Sequence, residues 1–259
     1  MDADGFRFLT AADRPDMAPA LSRFPSKFWP VFMLQDPIAN RLFAGLYSRF
    51  ADYQFALVDD TTESIVAIGN SIPLSFDSDP MLLPDDGWDW AIQQGFDDDA
   101  AGASPHCLCA LQIVIDSAYR GLGLSARMVL RMRAIAIAHS LTRLIAPVRP
   151  NQKSLYPLTP IESYIHWRRV DGLPFDPWLR THARLGAEII KVCPSAMRIP
   201  GTVSEWECWT DMRFPESGEY VVPGALVPVN VDRESNWGLY VEPNVWMSHP
   251  LGNSPAPKP

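Results

Sequence analysis

The stretch Cys107-Leu-Cys-Ala-Leu-Gln-Ile-Val-Ile-Asp-Ser-Ala-Tyr-Arg-Gly-Leu-Gly-Leu-Ser-Ala126 decides the fold. Cys107 to Ile115 is a nearly continuous apolar run, as in a strand covered on both faces. Leu124, Met128, Met132 and Ile135 then recur at helical spacing and predict the buried stripe of a helix of about four turns. Arg143 to Val148 returns as a short strand. The order is buried strand, glycine turn, helix, strand. A helix N-terminus offers unpaired amides and partial positive charge. Gly121 and Gly123 omit the Cβ atoms that would hold a ligand away from those amides. Arg120 adds a fixed charge and Ser125 a hydroxyl. The turn therefore predicts an anion site, most simply for a pyrophosphate.

Several owners of such a site are excluded. A dinucleotide-binding domain puts its glycine turn after the first strand, with an acid about 20 residues on. Here a long segment precedes the turn, and Arg143 to Val148 holds no acid. No Gly-Lys-Ser/Thr occurs, so there is no P-loop. Gly123-Leu-Ser125-Ala-Arg127 lacks the second glycine of a nucleophile elbow.

Arg120-Gly-Leu-Gly123-Leu-Ser125 resembles the Arg/Gln-x-x-Gly-x-Gly/Ala acyl-CoA signature of the GCN5-related N-acetyltransferases, with Ser125 where Gly or Ala is usual. The opening Phe6-Arg-Phe-Leu-Thr-Ala-Ala-Asp13 is similar to that family's first strand and helix entry. Helices, a hairpin, the long strand and the signature helix follow in family order, over about residues 5 to 212. The resemblance implies an α/β (α+β) fold, a mixed splayed sheet flanked by helices, with acyl-CoA, most simply acetyl-CoA, as co-substrate. It implies that Ile113, Val114 and Ile115 offer backbone groups to the pantetheine arm. It implies also that Arg120, Gly121, Leu122, Gly123, Leu124, Ser125 and Ala126 wrap the pyrophosphate. Asn151 stands where the family often has a cofactor-touching Asn; beside Pro150 it reads equally as a turn former.

The resemblance further implies direct transfer of an acyl group to an amine. The amine attacks only when neutral, and the departing thiolate gains from a nearby acid. Family members often use a Tyr in Tyr-x-x-x-Gly-Phe. The comparable segment here is His182-Ala-Arg-Leu-Gly186-Ala187, which makes His182 a candidate acid. Tyr156, closer to Asn151 than the family spacing, is a second. Gln112, strongly polar within the central strand, either faces the acyl carbonyl or pairs internally. That strand has no carboxylate before Asp116, which departs from the usual Glu base. An insertion, Thr159 to Trp178, holds Glu162, Tyr164, His166, Trp167 and Asp171, and either caps the acceptor pocket or is a surface excursion.

Elsewhere, Asp13 to Phe24 and Pro37 to Phe50 read as helices, and Tyr53 to Val58 with Ile65 to Ile72 as a hairpin. Asp85 to Phe96 reads as a helix, with Asp97-Asp98-Asp99 in the loop after it. Thr202 to Met212 reads as a terminal strand with Trp206 and Trp209. The expected organisation is a domain over 1–212, a Pro- and aromatic-rich extension over 213–249 packed on it, and a disordered tail over 250–259.

The 259 residues are 47% hydrophobic, enough for a real core, and 25 are proline, which favours fixed loops over long helices. The net charge of -8 and only four lysines argue against nucleic acid or a membrane surface as partner. No apolar run of about 18 residues occurs, so no membrane span is expected, and Met1 to Thr10 does not read as a signal peptide. Cys107, Cys109, Cys193 and Cys208 read as free thiols of a cytoplasmic protein, with no metal site. Exposed tryptophans admit a homodimer. Three functions fit the cofactor turn: an acyl-CoA-dependent N-acyltransferase acting on a small-molecule amine, a non-catalytic acyl-CoA-binding module, and a repurposed fold for O-acylation or decarboxylation. The first is expected.

Overall fold

The computed structural model describes residues 5–251. Its strands are β1 (Phe6–Thr10), β2 (Gln54–Asp59), β3 (Ile65–Leu74), β4 (Cys107–Ile115), β5 (Arg143–Val148), β6 (Glu188–Gly201), β7 (Gly218–Tyr220), β8 (Val229–Asp232) and β9 (Trp237–Pro250). Its helices are α1 (Ala18–Arg23), α2 (Pro37–Leu42), α3 (Leu46–Arg49), α4 (Gly87–Ala101), α5 (Leu124–Ala138), α6 (Ile161–Tyr164), α7 (Pro177–Arg184) and α8 (Val203–Thr210). The strands form one mixed sheet in the order β1-β2-β3-β4-β5-β9-β8-β7, with β6 paired to β9. Only β4 and β5 run parallel.

The apolar run of β4 is covered on both faces. Leu108 packs with Leu124, Met128, Met132 and Ile135 of α5, so the predicted stripe is buried. Cys107, Cys109 and Leu111 face the other way, with Trp88, Ile92 and Phe96 of α4. The register against β3 slips here, with Asn70 opposite Gln112 but Ser71 opposite Ala110. Leu111 is thus the extra residue of a bulge, and the facing parity changes across it. Leu111 and Val114 share one cluster, while Ile113 and Ile115 join Leu108 in the other. The indole Nε1 of Trp88 donates to the Leu111 carbonyl at 2.8 Å, satisfying the group that the bulge turns out of the ladder.

At the same place β4 parts from β5. Their pairing ends at Cys109 opposite Ile145. Beyond it both strands have a free edge, which is where a strand tolerates a proline such as Pro147.

Several expected elements differ. Thr202–Met212 is not a strand. Thr202 Oγ1 accepts from the Glu205 amide and the Glu205 carboxylate accepts from the Thr202 amide, a capping box that starts α8. The terminal strand beside β5 is instead β9, from the stretch expected to pack on the domain as an extension. β9 lies within the sheet, held along one edge by β6 and along the other by β5 and β8. Asp97-Asp98-Asp99 is not in a loop. Gln93 and Gln94 donate to Asp97 and Asp98 one turn on, and α4 continues to Ala101. The two expected N-terminal helices are broken by 3-10 turns, at Pro15 and Pro25 in the first and at Phe43–Gly45 in the second. Pro250 ends β9, and the rest of the expected tail, 252–259, lies outside the described residues.

Among the described residues no helix is long and apolar enough to cross a membrane. Cys107, Cys109 and Cys193 are buried free thiols, and Cys208 is exposed. Of the tryptophans expected to offer an oligomer contact, Trp237 is the exposed one among the described residues.

Candidate active site

The parting of β4 and β5 opens a cavity of about 950 Å³. Its floor is the free edge of β4 from Ala110 to Ile115, facing Ala146 to Val148 of β5. One end reaches the turn before α5. There Gly121 and Gly123 have φ of +85° and +72°, a conformation that L side chains rarely adopt. A Cβ at either would meet nothing within 4 Å, so the space over the turn is open. No side chain caps α5. The amides of Leu124 and Ser125, in its first turn, have no intrahelical acceptor. The Ala126 amide is engaged by the Gly123 carbonyl at 3.2 Å. An open cradle of free amides at a positive helix end fits a diphosphate.

Of the expected cofactor residues, Ile113, Val114, Ile115, Arg120, Gly121, Gly123, Leu124, Ser125 and Asn151 line the cavity. Leu122, which is well exposed, and Ala126 are not in the wall.

His182 lines the cavity and Tyr156 does not. The Tyr156 ring sits in an aromatic cluster with Tyr164, Trp167 and Phe175 of the insertion. From that insertion only Trp178 reaches the cavity; Glu162, His166 and Asp171 are exposed on the surface. The insertion does fix α7. Asp176 caps it through the amides of Trp178 and Leu179, and also accepts from Tyr164 Oη and the Gln152 amide, each at 2.9 Å. His182, on that helix, is buried with its Nδ1 2.9 Å from His249 Nε2. Burial, then the neighbouring His249, pushes its pKa down to about 3. The ring is neutral at pH 7. The candidate acid is therefore not an imidazolium at neutral pH. Its Nε2 has no partner among the described residues.

Gln112 pairs internally while lining the cavity. It accepts from Trp29 Nε1 at 3.1 Å and donates to Asn70 Oδ1 at 3.2 Å. Asn70 in turn donates to Tyr47 and Gln54, each at 3.0 Å. The far end of the cavity is walled by Trp29, Phe43 and Trp88, with Arg149 and Glu242 beside them. Sequence reading missed this last pair. Glu242 is a lone acid in the apolar run Leu239-Tyr-Val-Glu-Pro-Asn-Val-Trp246, and such an acid is buried only with a partner. That signal was available; the identity of the partner was not.

No family model matches the chain. Among solved structures, the loading GNATL domain of CurA from Lyngbya majuscula aligns with a TM-score of 0.61 at 18% identity, over 96% of this chain and 98% of that one. A curated relative, the arginine N-acetyltransferase avaD of Aspergillus versicolor, is 36% identical over 276 residues, covering 95% of this chain and 94% of that protein. The chain belongs to the GCN5-related N-acetyltransferase family. This N-acetyltransferase also shares its fold with the GphF GNAT-like decarboxylase, solved in complex with isobutyryl-CoA, with a TM-score of 0.52 at 17% identity over 95% and 98% of the two chains. The splayed sheet expected from the resemblance is present. The parting of β4 from β5, with the glycine turn at its mouth, is present as that fold requires, and kinship to the curated relative makes the chain an acyltransferase.

Proposed function

We propose that this acyltransferase moves the acetyl group of acetyl-CoA onto an amine of an arginine-like small molecule in the cytoplasm. One observation carries the reading: the unpaired edge of β4, the uncapped glycine turn and an aromatic-walled chamber are parts of one continuous cavity. The turn before α5 holds the diphosphate through the Leu124 and Ser125 amides, with Arg120 beside it. Ala110 to Ile115 and Ala146 to Val148 border the pantetheine arm. Acetyl-CoA bound there supplies an activated acetyl thioester.

Trp29, Phe43 and Trp88 make this part of the cavity wall aromatic, which supports a cationic acceptor such as a guanidino compound. The nitrogen–carbon bond forms as the carbon–sulfur bond breaks, and the amine loses its proton to water in the cavity. His182, neutral and unpartnered at Nε2, offers one hydrogen bond to the departing sulfur. For that nitrogen to be a donor, His249 must donate from Nε2 to His182 Nδ1, so His249 sets the tautomer. The free thiols support a reducing compartment.

The test is thiol release from acetyl-CoA in the presence of arginine, with the product identified by mass. Acetylarginine together with one equivalent of free CoA is the expected result. Tight acetyl-CoA binding without turnover on any amine overturns the proposal in favour of a binding module.

A further inference from the structure

The chamber wall carries a charged pair that the transfer reaction leaves unused. Arg149 Nε donates to both oxygens of Glu242, at 3.0 and 2.9 Å. Its Nη2 donates to the Gly224 carbonyl at 2.6 Å, and the guanidinium lies over the Trp29 ring, 5.5 Å from its centroid. The hydrogen bonds of the guanidinium to described residues run from Nε and Nη2, and Tyr240 is a further polar neighbour. Burial opposes the charge, but Glu242 and Tyr240 together outweigh it and keep the group a cation.

Glu242 is the opposite case. Its side chain is 0% exposed, and it also accepts from Tyr240 Oη at 2.9 Å and Asn244 Nδ2 at 3.1 Å. A carboxylate so occupied has little capacity left for a ligand cation or for the proton of a reacting amine. Its function is to hold and neutralise Arg149. Arg149 keeps 19% of its side chain exposed, and both residues line the cavity. The pair therefore shows the cavity spare N–H donors on a rigidly held guanidinium, with no net charge. Such a group binds an oxygen with free lone pairs, charged or neutral.

We infer that Arg149, held by Glu242, is the subsite for a carbonyl-type oxygen of the acceptor, either a carboxylate or an amide carbonyl. This rests on the arginine-like acceptor proposed above and adds which part of that acceptor is read. Because the guanidinium is already fixed at several points, little further side-chain freedom is lost on binding.

The test compares three acceptors with the intact protein and acetyl-CoA: arginine, which carries a carboxylate; arginine amide, which carries a neutral carbonyl; and agmatine, which carries neither. The better of the first two is expected to exceed agmatine in kcat/KM by about 30-fold, mainly through KM, the worth of one charge-assisted hydrogen bond. The order of arginine and its amide says which oxygen is read. In the double variant Arg149→Met/Glu242→Gln, which strands no buried charge, the ratio to agmatine is expected to fall to about threefold or less. Agmatine turned over by the natural protein as well as the better of arginine and its amide overturns the inference alone, and so does a ratio that survives in the double variant. No turnover with any of the three overturns the arginine reading and this inference with it. The comparison of acceptors needs no variant, so it holds even if the double variant does not fold.

Discussion

At the end of the cavity proposed for the diphosphate, one short stretch from Ile113 to Ser125 supplies strand edge, turn and helix start. At the acceptor end, Trp29, Trp88, Gln112, Arg149 and Glu242 come from separate elements and meet only because the sheet brings them together. The first end works through backbone conformation and fails locally. The second works through packing and buried hydrogen bonds, so it fails together with the fold.

The largest expected effect belongs to the distributed end. Glu242→Leu leaves the mostly buried Arg149 guanidinium without its counter-charge, at a cost of about 3–5 kcal/mol in unfolding free energy. Denaturant titration checks this; a loss below about 1 kcal/mol would show that the pair is not coupled to the sheet. The local end should respond differently. Gly123→Val forces a β-branched residue to φ near +72° and puts its side chain into the open space over the turn. Calorimetry should find acetyl-CoA binding weakened by about 100-fold, equivalent to about 2.7 kcal/mol, while the acceptor preference is unchanged.

Trp88→Phe changes an acceptor-end residue that is tied to β4, the strand that borders both ends. It removes the donor to the Leu111 carbonyl at the bulge and should cost about 1–3 kcal/mol. It should also raise KM for both substrates. A change confined to one substrate would show that the bulge does not couple the ends.

The smallest effect is one of pH. His182 and His249 have pKa values pushed from 6.5 down to about 3 and about 4, in both mainly by burial. As pH falls below 6.5 the unfolded chain takes up protons that these rings refuse, so their contribution to stability is intact above 6.5 and is lost on the way down. Asp89 runs the other way. Burial and the nearby Asp36 push its pKa up to about 8, so the folded form keeps a proton that the unfolded chain releases above 3.8. Comparing His182→Gln with the natural protein isolates the imidazole. The slope of stability against pH between 4 and 6 should flatten by at most about 1.4 kcal/mol per pH unit.

What was legible in the sequence follows the same division. The β4–α5–β5 unit could be read because its information is local: an unbroken apolar run, a four-four-three stripe and two glycines where φ is positive. Thr202-Val-Ser-Glu205 was equally local, and its capping box announces α8, but the neighbouring tryptophans drew the reading toward a strand. The stretch that forms β9 was legible as an aromatic extension packed on the domain. Its place beside β5 was not, because nothing within Trp237–Pro250 specifies which of several free edges it joins. Tyr156 was chosen by spacing along the chain, and spacing carries no information about the aromatic cluster that holds it. His182, legible only as a candidate acid, does line the cavity, but its protonation is set first by burial and then by His249, 67 residues away, and neither is written in the local sequence.

β5 ends at Val148, yet the strand that covers its outer edge begins only at Trp237. A ribosome delivers these pieces in that order. While the intervening segment is being synthesised, β5 and later β6 wait with open hydrogen-bonding edges, which are templates for pairing with other chains. The late arrival of β9 therefore sets a window of vulnerability for the nascent polypeptide. A product stalled inside that window is expected to aggregate rather than to persist as a partly working catalyst.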